Sequence, residues 1–311
     1  MSNTSNNRAP FLHKFSGLGT ALITPFLPDG SIDVPVLTSL TERQISSGTD
    51  YIVVLGSTAE TPTLSANERE LVKRTVVSVC HGRVPLVLGM GGNCTGSLTD
   101  EIKHADTRGF DAILSVCPYY NKPSQRGLVA HFSAVANASQ LPVIVYNVPG
   151  RTGINMLPET VVEAAIANSN IIGIKEASGN AEQIRRLKTL VDNQDELRSR
   201  CFAIISGDDG LTPELAHDGT VCGVISVLSN ALPKQWAEVI HKCLNDKAYQ
   251  YDGRYDSITG LLFREGNPAG IKALLHVMGL CHNTLRLPLT AVSEQLLKDI
   301  LDEKEKLAPV C

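Results

Sequence analysis

A chain of 311 residues that is 43% hydrophobic can fill the core of one large α/β barrel or of two ordinary domains. Its net charge of −4, from 28 Lys and Arg against 32 Asp and Glu without a basic cluster, points away from nucleic acid and from an anionic membrane surface. No apolar run approaches the ~20 residues of a membrane span, so no membrane partner is expected and the partner should be a small molecule.

Residues 1–10 are a polar Ser, Asn and Thr tail without the apolar core of a signal peptide; a disordered leader over 1–14 and a cytoplasmic location are expected. Short apolar runs then recur at 19–23, 51–55, 85–88, 112–115, 142–146, 171–175, 202–206 and 223–227. Most start about 30 residues apart, the period of a βα unit. Helical spacing fills the intervals 34–46, 66–80, 97–108, 125–138, 158–167 and 181–192. Helix-start signals accompany several: Ser65 ahead of Glu68, Ser124 after Pro123, and Pro158 followed by Glu159. Eight alternating units predict an α/β chain of the (β/α)8 class, a TIM barrel over 15–230. A doubly wound sheet also alternates, but its GxGxxG phosphate fingerprint is absent, and Gly89-Met90-Gly91-Gly92-Asn93 is the nearest approach. Residues 231–311 carry only helical periodicity, as at 269–278 and 293–306, and should pack on the barrel as a C-terminal helical region. The eight cysteines, at 80, 94, 117, 201, 222, 243, 281 and 311, never fall in CxxC spacing, as expected of reduced core residues.

Catalysis in such barrels takes place where strands end at their C-termini, and polar residues gather there in this chain. The second run leads into Gly56-Ser57-Thr58-Ala59-Glu60, the fourth into Tyr119 and Tyr120, and the fifth into Tyr146 and, five residues on, Arg151. The sixth ends on Lys175 and the seventh leads into Ser206-Gly207-Asp208-Asp209. A Lys closing a buried strand is desolvated, which lowers its pKa and lets it attack a carbonyl near neutral pH. Taken alone, a Lys there more often ends in a rim salt bridge, and a lone Tyr at a strand end more often packs in the core. Their convergence on one mouth favours Schiff-base chemistry, which needs an amine, a phenol to move protons and donors for a carboxylate. Asp208 and Asp209 resemble a metal pair, but no third ligand stands at ligand spacing, so no metal is expected.

These motifs, with Gly173-Ile174-Lys175-Glu176-Ala177-Ser178-Gly179 and Gly223-Val224-Ile225-Ser226-Val227, resemble the pyruvate-dependent class I aldolase or N-acetylneuraminate lyase family, and most closely its dihydrodipicolinate synthase branch. The resemblance spans about residues 15–289 and includes Phe263-Arg264-Glu265-Gly266-Asn267-Pro268. It implies that Lys175 forms an imine with pyruvate, with no separate cofactor, and that the enamine attacks aspartate-4-semialdehyde. Tyr146 would be the proton shuttle, linked through Thr58 to a Tyr120 supplied by the neighbouring subunit of a tight dimer, within a tetramer built as a dimer of dimers. Ser57 and Thr58 amides would hold the pyruvate carboxylate, with Gly207 and the Ile225 carbonyl at the same pocket, and Arg151 would bind the second carboxylate. Ala59 departs from the usual Gly, and Ser57 replaces the Thr common in the synthases, as it does in the sialic acid lyases. A lyase acting on a 2-keto-3-deoxy sugar acid or sialic acid is therefore the alternative. Arg151 favours the synthase, because a polyol aldehyde gives a guanidinium less to bind.

Members inhibited by lysine bind it at the dimer interface through His, an acidic residue, Asn and Tyr. Asn93 and Tyr119 match here, but Ala66 and Arg69 stand where His residues do and Ser97 where the acid does. Loss of that carboxylate and gain of a cation should weaken a dibasic effector, so weak or absent lysine inhibition is expected.

Overall fold

The computed structural model describes residues 14–307. The expected leader, apart from Lys14, and Cys311 lie outside the described residues. Eight parallel strands close into one barrel in chain order: β1 (Gly17–Ala21), β2 (Tyr51–Val54), β3 (Leu86–Gly89), β4 (Ala112–Val116), β5 (Val143–Asn147), β6 (Ile171–Glu176), β7 (Ala203–Ser206) and β8 (Gly223–Ser226), with β8 pairing back onto β1. The class expected from the alternating runs is the one observed. Both faces of such a sheet are buried, which is why its strands are written as unbroken apolar runs.

Alternation within each run decides which way a side chain points. Leu18, Ile52, Val54, Leu86, Leu88, Ile113, Val143, Val145, Ile174, Ile204 and Val224 meet the surrounding helices. Their neighbours Ala21, Tyr51, Val53, Val87, Leu114, Ile144, Tyr146, Ile205 and Ile225 fill the barrel interior as a separate cluster. Gly19 makes room there for the Tyr51 ring, since a Cβ at Gly19 would lie 2.2 Å from it. Strand β1 begins two residues earlier than its apolar run, because Gly17 and Leu18 pair with Gly223 and Val224.

The outer layer comprises α1 (Val34–Ser46), α2 (Ala66–Cys80), α3 (Thr95–His104), α4 (Gln125–Ala138), the single turn α5 (Pro149–Thr152), α6 (Pro158–Ala167), α7 (Ala181–Asp192), α8 (Asp195–Ser199), α9 (Thr212–His217) and α10 (Pro233–Asn245). Helix α2 opens on a full capping box between Ser65 and Glu68. Helix α10 packs against β1 and β8 as the barrel's eighth helix, and the boundary expected at 230 falls just ahead of it. Beyond it, α11 (Asp256–Arg264), α12 (Ala269–Val277) and α13 (Glu294–Lys306) pack on one another. No described helix is long and apolar enough to cross a membrane. The described cysteines are all free.

A buried ionic cluster ties this C-terminal region to the loop after β2. Glu60, held in the left-handed region at φ 54°, pairs with Lys272 of α12, and both side chains are fully buried. The Lys272 ammonium also donates to the Thr284 carbonyl at 2.9 Å and lies 4.0 Å from the Phe26 ring centroid. The Arg286 backbone N–H donates to Glu60 at 3.0 Å, while its guanidinium reaches the carbonyls of Gly30 and Thr63 and the Glu68 carboxylate. Removing one member of a buried pair strands the other charge, which costs about 3–5 kcal/mol. Glu60→Gln should therefore lower the free energy of urea unfolding by about that much, and Lys272→Met in the same chain should recover a large part of it.

Candidate active site

Lys175 sits at the C-terminal end of β6, opposite Tyr146 of β5 and Ile205 of β7, and is 7% exposed. Its Nζ lies 4.5 Å from the Tyr146 ring centroid. Both line a cavity of about 450 Å³ at the barrel mouth, together with Ser57, Thr58, Arg151 and Gly207. Behind them the Asn147 side chain donates to Glu176 at 2.9 Å, and the Ser178 N–H donates to the same carboxylate at 2.7 Å. These bonds lock the ends of β5 and β6 on the side facing away from the cavity.

Burial against the apolar wall drops the Lys175 pKa to about 7. The Asp209 carboxylate opposes that shift and the Arg151 guanidinium reinforces it. Tyr146 moves the other way: burial raises its phenol pKa, while Arg151 and the Ser57 hydroxyl pull it down. The cavity thus holds an amine with a large neutral fraction near pH 7 beside a protonated phenol, the pairing that imine chemistry requires.

Asp209 is fully occupied in supporting the fold. Its carboxylate accepts the Val227 and Leu228 N–H groups at 2.8 and 2.9 Å and the Trp236 indole N–H at 2.9 Å. Asp208 accepts the N–H groups of Gly210 and Leu211 at 2.9 and 3.2 Å. Among the described residues no group of three or more His, Cys, Asp or Glu is placed to hold a metal ion.

The loop after β2 winds into a 3₁₀ turn, Ser57–Ala59, whose first amides have no partner within the turn and so can meet an anion. Successive side chains in such a turn diverge by about 120°, so only one of two adjacent hydroxyls can face Tyr146. The Ser57 hydroxyl lowers the Tyr146 pKa by hydrogen bonding, whereas the Thr58 Oγ1 accepts a 2.9 Å bond from the Asn267 amide. Thr58, to which the resemblance assigns the relay, lines the cavity wall beside Ser57.

Arg151 stands in α5, a turn started by Pro149, and its Nη2 donates to the Asn267 carbonyl at 2.9 Å. Gly207 is a spatial requirement: a Cβ there would lie 2.6 Å from the Ala177 Cβ and 2.9 Å from the Lys175 Cε. Gly207→Ala should displace the Lys175 side chain and slow imine formation with pyruvate by about 10²-fold, measured as the rate of borohydride trapping, with the fold intact by circular dichroism. Ile225 is buried inside the barrel at 1% exposure, and Val227, two residues on, lines the cavity instead. Tyr120, 88% exposed with φ 73°, does not line the cavity of its own chain, and Tyr119 is 42% exposed.

The C-terminal region contributes residues that sequence reasoning did not assign: Asp256, Thr259, Gly260 and Phe263 of α11, and Asn267 beyond it, close one side of the cavity. The Gly266-Asn267-Pro268 motif was the available signal for Asn267.

A family model described as the dihydrodipicolinate synthetase family matches residues 14–305. The chain is 46% identical over 291 residues to the 4-hydroxy-tetrahydrodipicolinate synthase of Parabacteroides distasonis, covering 92% of this chain and 95% of that protein. Among solved structures, dihydrodipicolinate synthase from Thermotoga maritima superposes with a TM-score of 0.88 at 37% identity, over 94% of this chain and 99% of that one. The chloride-inhibited dihydrodipicolinate synthase from Acinetobacter baumannii complexed with pyruvate gives 0.85 at 38%, over 93% and 98%. Matched by the family model over nearly its whole length, the chain belongs to the dihydrodipicolinate synthetase family.

Proposed function

We propose that this chain condenses pyruvate with L-aspartate-4-semialdehyde, through an imine on Lys175, to give 4-hydroxy-tetrahydrodipicolinate for diaminopimelate and lysine biosynthesis. The observation that carries the reading is an amine buried down to a pKa of about 7 in a cavity it shares with a phenol and a guanidinium. The neutral Nζ attacks the C2 carbonyl of pyruvate, and the carbinolamine loses its hydroxyl as water to leave the imine. Loss of a methyl proton gives the enamine, whose carbon attacks the aldehyde of the second substrate. The amino group of the adduct then attacks the imine carbon, closing the ring and returning Lys175 as a free amine. Tyr146 moves the protons, with Ser57 as its hydroxyl partner. The first amides of the 3₁₀ turn hold the pyruvate carboxylate, and Arg151 binds the carboxylate of the semialdehyde. The imine itself withdraws the electrons, so no separate cofactor enters.

The exposed Tyr120, held away from its own cavity, supports a relay completed by a neighbouring subunit, in a tetramer assembled as a dimer of dimers. A cytoplasmic location fits free thiols and a small-molecule role. Arg69 is engaged by Glu101 at 3.4 Å and no acidic side chain stands at Ser97, so half-inhibition by lysine should require concentrations well above the low-millimolar range in steady-state assays.

The retro-aldol reading would keep the imine and replace the second substrate. The Arg151 guanidinium at the mouth favours a charged aldehyde. A coupled assay offering pyruvate with aspartate semialdehyde beside a panel of sugar aldehydes separates the two. Consumption of the semialdehyde by at least about 10²-fold in kcat/KM over any sugar is expected, and preference for a sugar would overturn the assignment.

A further inference from the structure

We propose that Asn267, in the loop between α11 and α12, is a positioning residue that aims the Thr58 hydroxyl at the carboxylate of the bound 2-oxo acid. The proposal rests on the reading of the cavity as a pyruvate site and adds a residue to it. The Asn267 Nδ2 donates to the Thr58 Oγ1 at 2.9 Å, with the two residues 7% and 3% exposed. An oxygen that accepts on one side must direct its single O–H proton elsewhere. Thr58 lines the cavity, and among the described residues its hydroxyl has no acceptor, so the proton is left for a group bound there. Under the proposed reading of the cavity, the acceptor is the carboxylate of the 2-oxo acid.

A second observation separates this role from packing. The Asn267 Oδ1 is buried without a partner among the described residues. An unsatisfied buried carbonyl costs free energy, which a residue retained only to fill space has no reason to bear. Its retention makes sense if the amide N–H is what matters. The main chain of the same residue serves the other end of the cavity, since its carbonyl accepts from Arg151 at 2.9 Å. A side-chain substitution therefore cuts the link to Thr58 and leaves the link to Arg151.

Asn267→Asp tests this in the full chain. The change keeps the shape, replaces the donor with an acceptor that takes the Thr58 proton, and sets a negative charge near that of the substrate. Half-saturating pyruvate should rise about tenfold or more, both in turnover and in borohydride trapping. The KM for aspartate semialdehyde should stay within about twofold, while the buried carboxylate by itself lowers the melting temperature. Unaltered pyruvate saturation would overturn the proposal, and so would a parallel rise in both KM values, which marks a collapsed loop. A double-mutant cycle gives an independent reading: Asn267→Ala should weaken pyruvate binding in the native background but add less than about twofold once Thr58→Val has removed the hydroxyl. Multiplying effects would show that Asn267 does not act through Thr58. If the unsubstituted chain is not trapped by pyruvate at all, the underlying assignment of the cavity fails, and the two failures are thereby told apart.

Discussion

Lys175→Met is expected to remove turnover by about 10⁴-fold or more, the order seen when a covalent nucleophile is deleted, and to abolish borohydride trapping of pyruvate. The same substitution should make the protein more stable. In the unfolded chain the amine keeps its ordinary value of 10.5, while in the folded protein burial brings it to about 7. Between those values the unfolded state holds a proton that the folded state lacks, so native stability rises with pH across that window. Below about pH 7 both states are protonated, and the full cost of burying the ammonium is present, on the order of a few kcal/mol. The Met variant should accordingly unfold at higher denaturant concentration than the native chain at pH 6–7, with the gap narrowing toward pH 10. Chemical denaturation across that range checks the sign, and a variant equally stable or weaker at pH 6 would show that the amine is not strained by its surroundings.

Arg151→Met should divide the reaction in two. Truncating one partner of a charged hydrogen-bonded pair costs about 2–5 kcal/mol, so kcat/KM for aspartate semialdehyde should fall by about 10²–10³-fold. Imine formation with pyruvate should survive, since Arg151 does not supply the amine. It should nevertheless shift with pH in a defined direction. The guanidinium depresses the Lys175 pKa, so its removal lets the amine hold its proton to higher pH. The acidic limb of the trapping rate, expected near pH 7 in the native chain, should move upward in the variant. Equal loss of trapping and turnover would contradict the role given to Arg151.

Much of this architecture is written locally. An apolar run in a closed parallel barrel is buried on both faces, so strands such as 142–146 stand out without any tertiary knowledge, and a cation closing one of them, as Lys175 does, is conspicuous. Arg151 and Tyr146 share one short segment, and their place at the same mouth follows from the barrel alone. Which of Ser57 and Thr58 faces Tyr146 is not legible in sequence, because adjacent hydroxyls in a tight turn differ only in direction, and the bond that engages Thr58 comes from the Asn267 amide 209 residues away. Asn267 was hidden for a related reason. It lies between helices whose periodicity speaks only of packing, and its task arises where α11 and α12 close over the barrel. Ile225 illustrates the limit of periodicity: it fills the barrel interior, while Val227, just past the end of β8 where the backbone turns helical, leaves the strand's alternation and meets the cavity.

Reduction of the protein with borohydride in the presence of pyruvate, followed by peptide mass spectrometry, tests the central claim most directly. The expected result is a single pyruvate-derived adduct on Lys175, formed at a rate that rises through pH 7 and competed by other 2-oxo acids. An unmodified Lys175, or an adduct distributed over exposed lysines at a rate following their ordinary pKa, would contradict it.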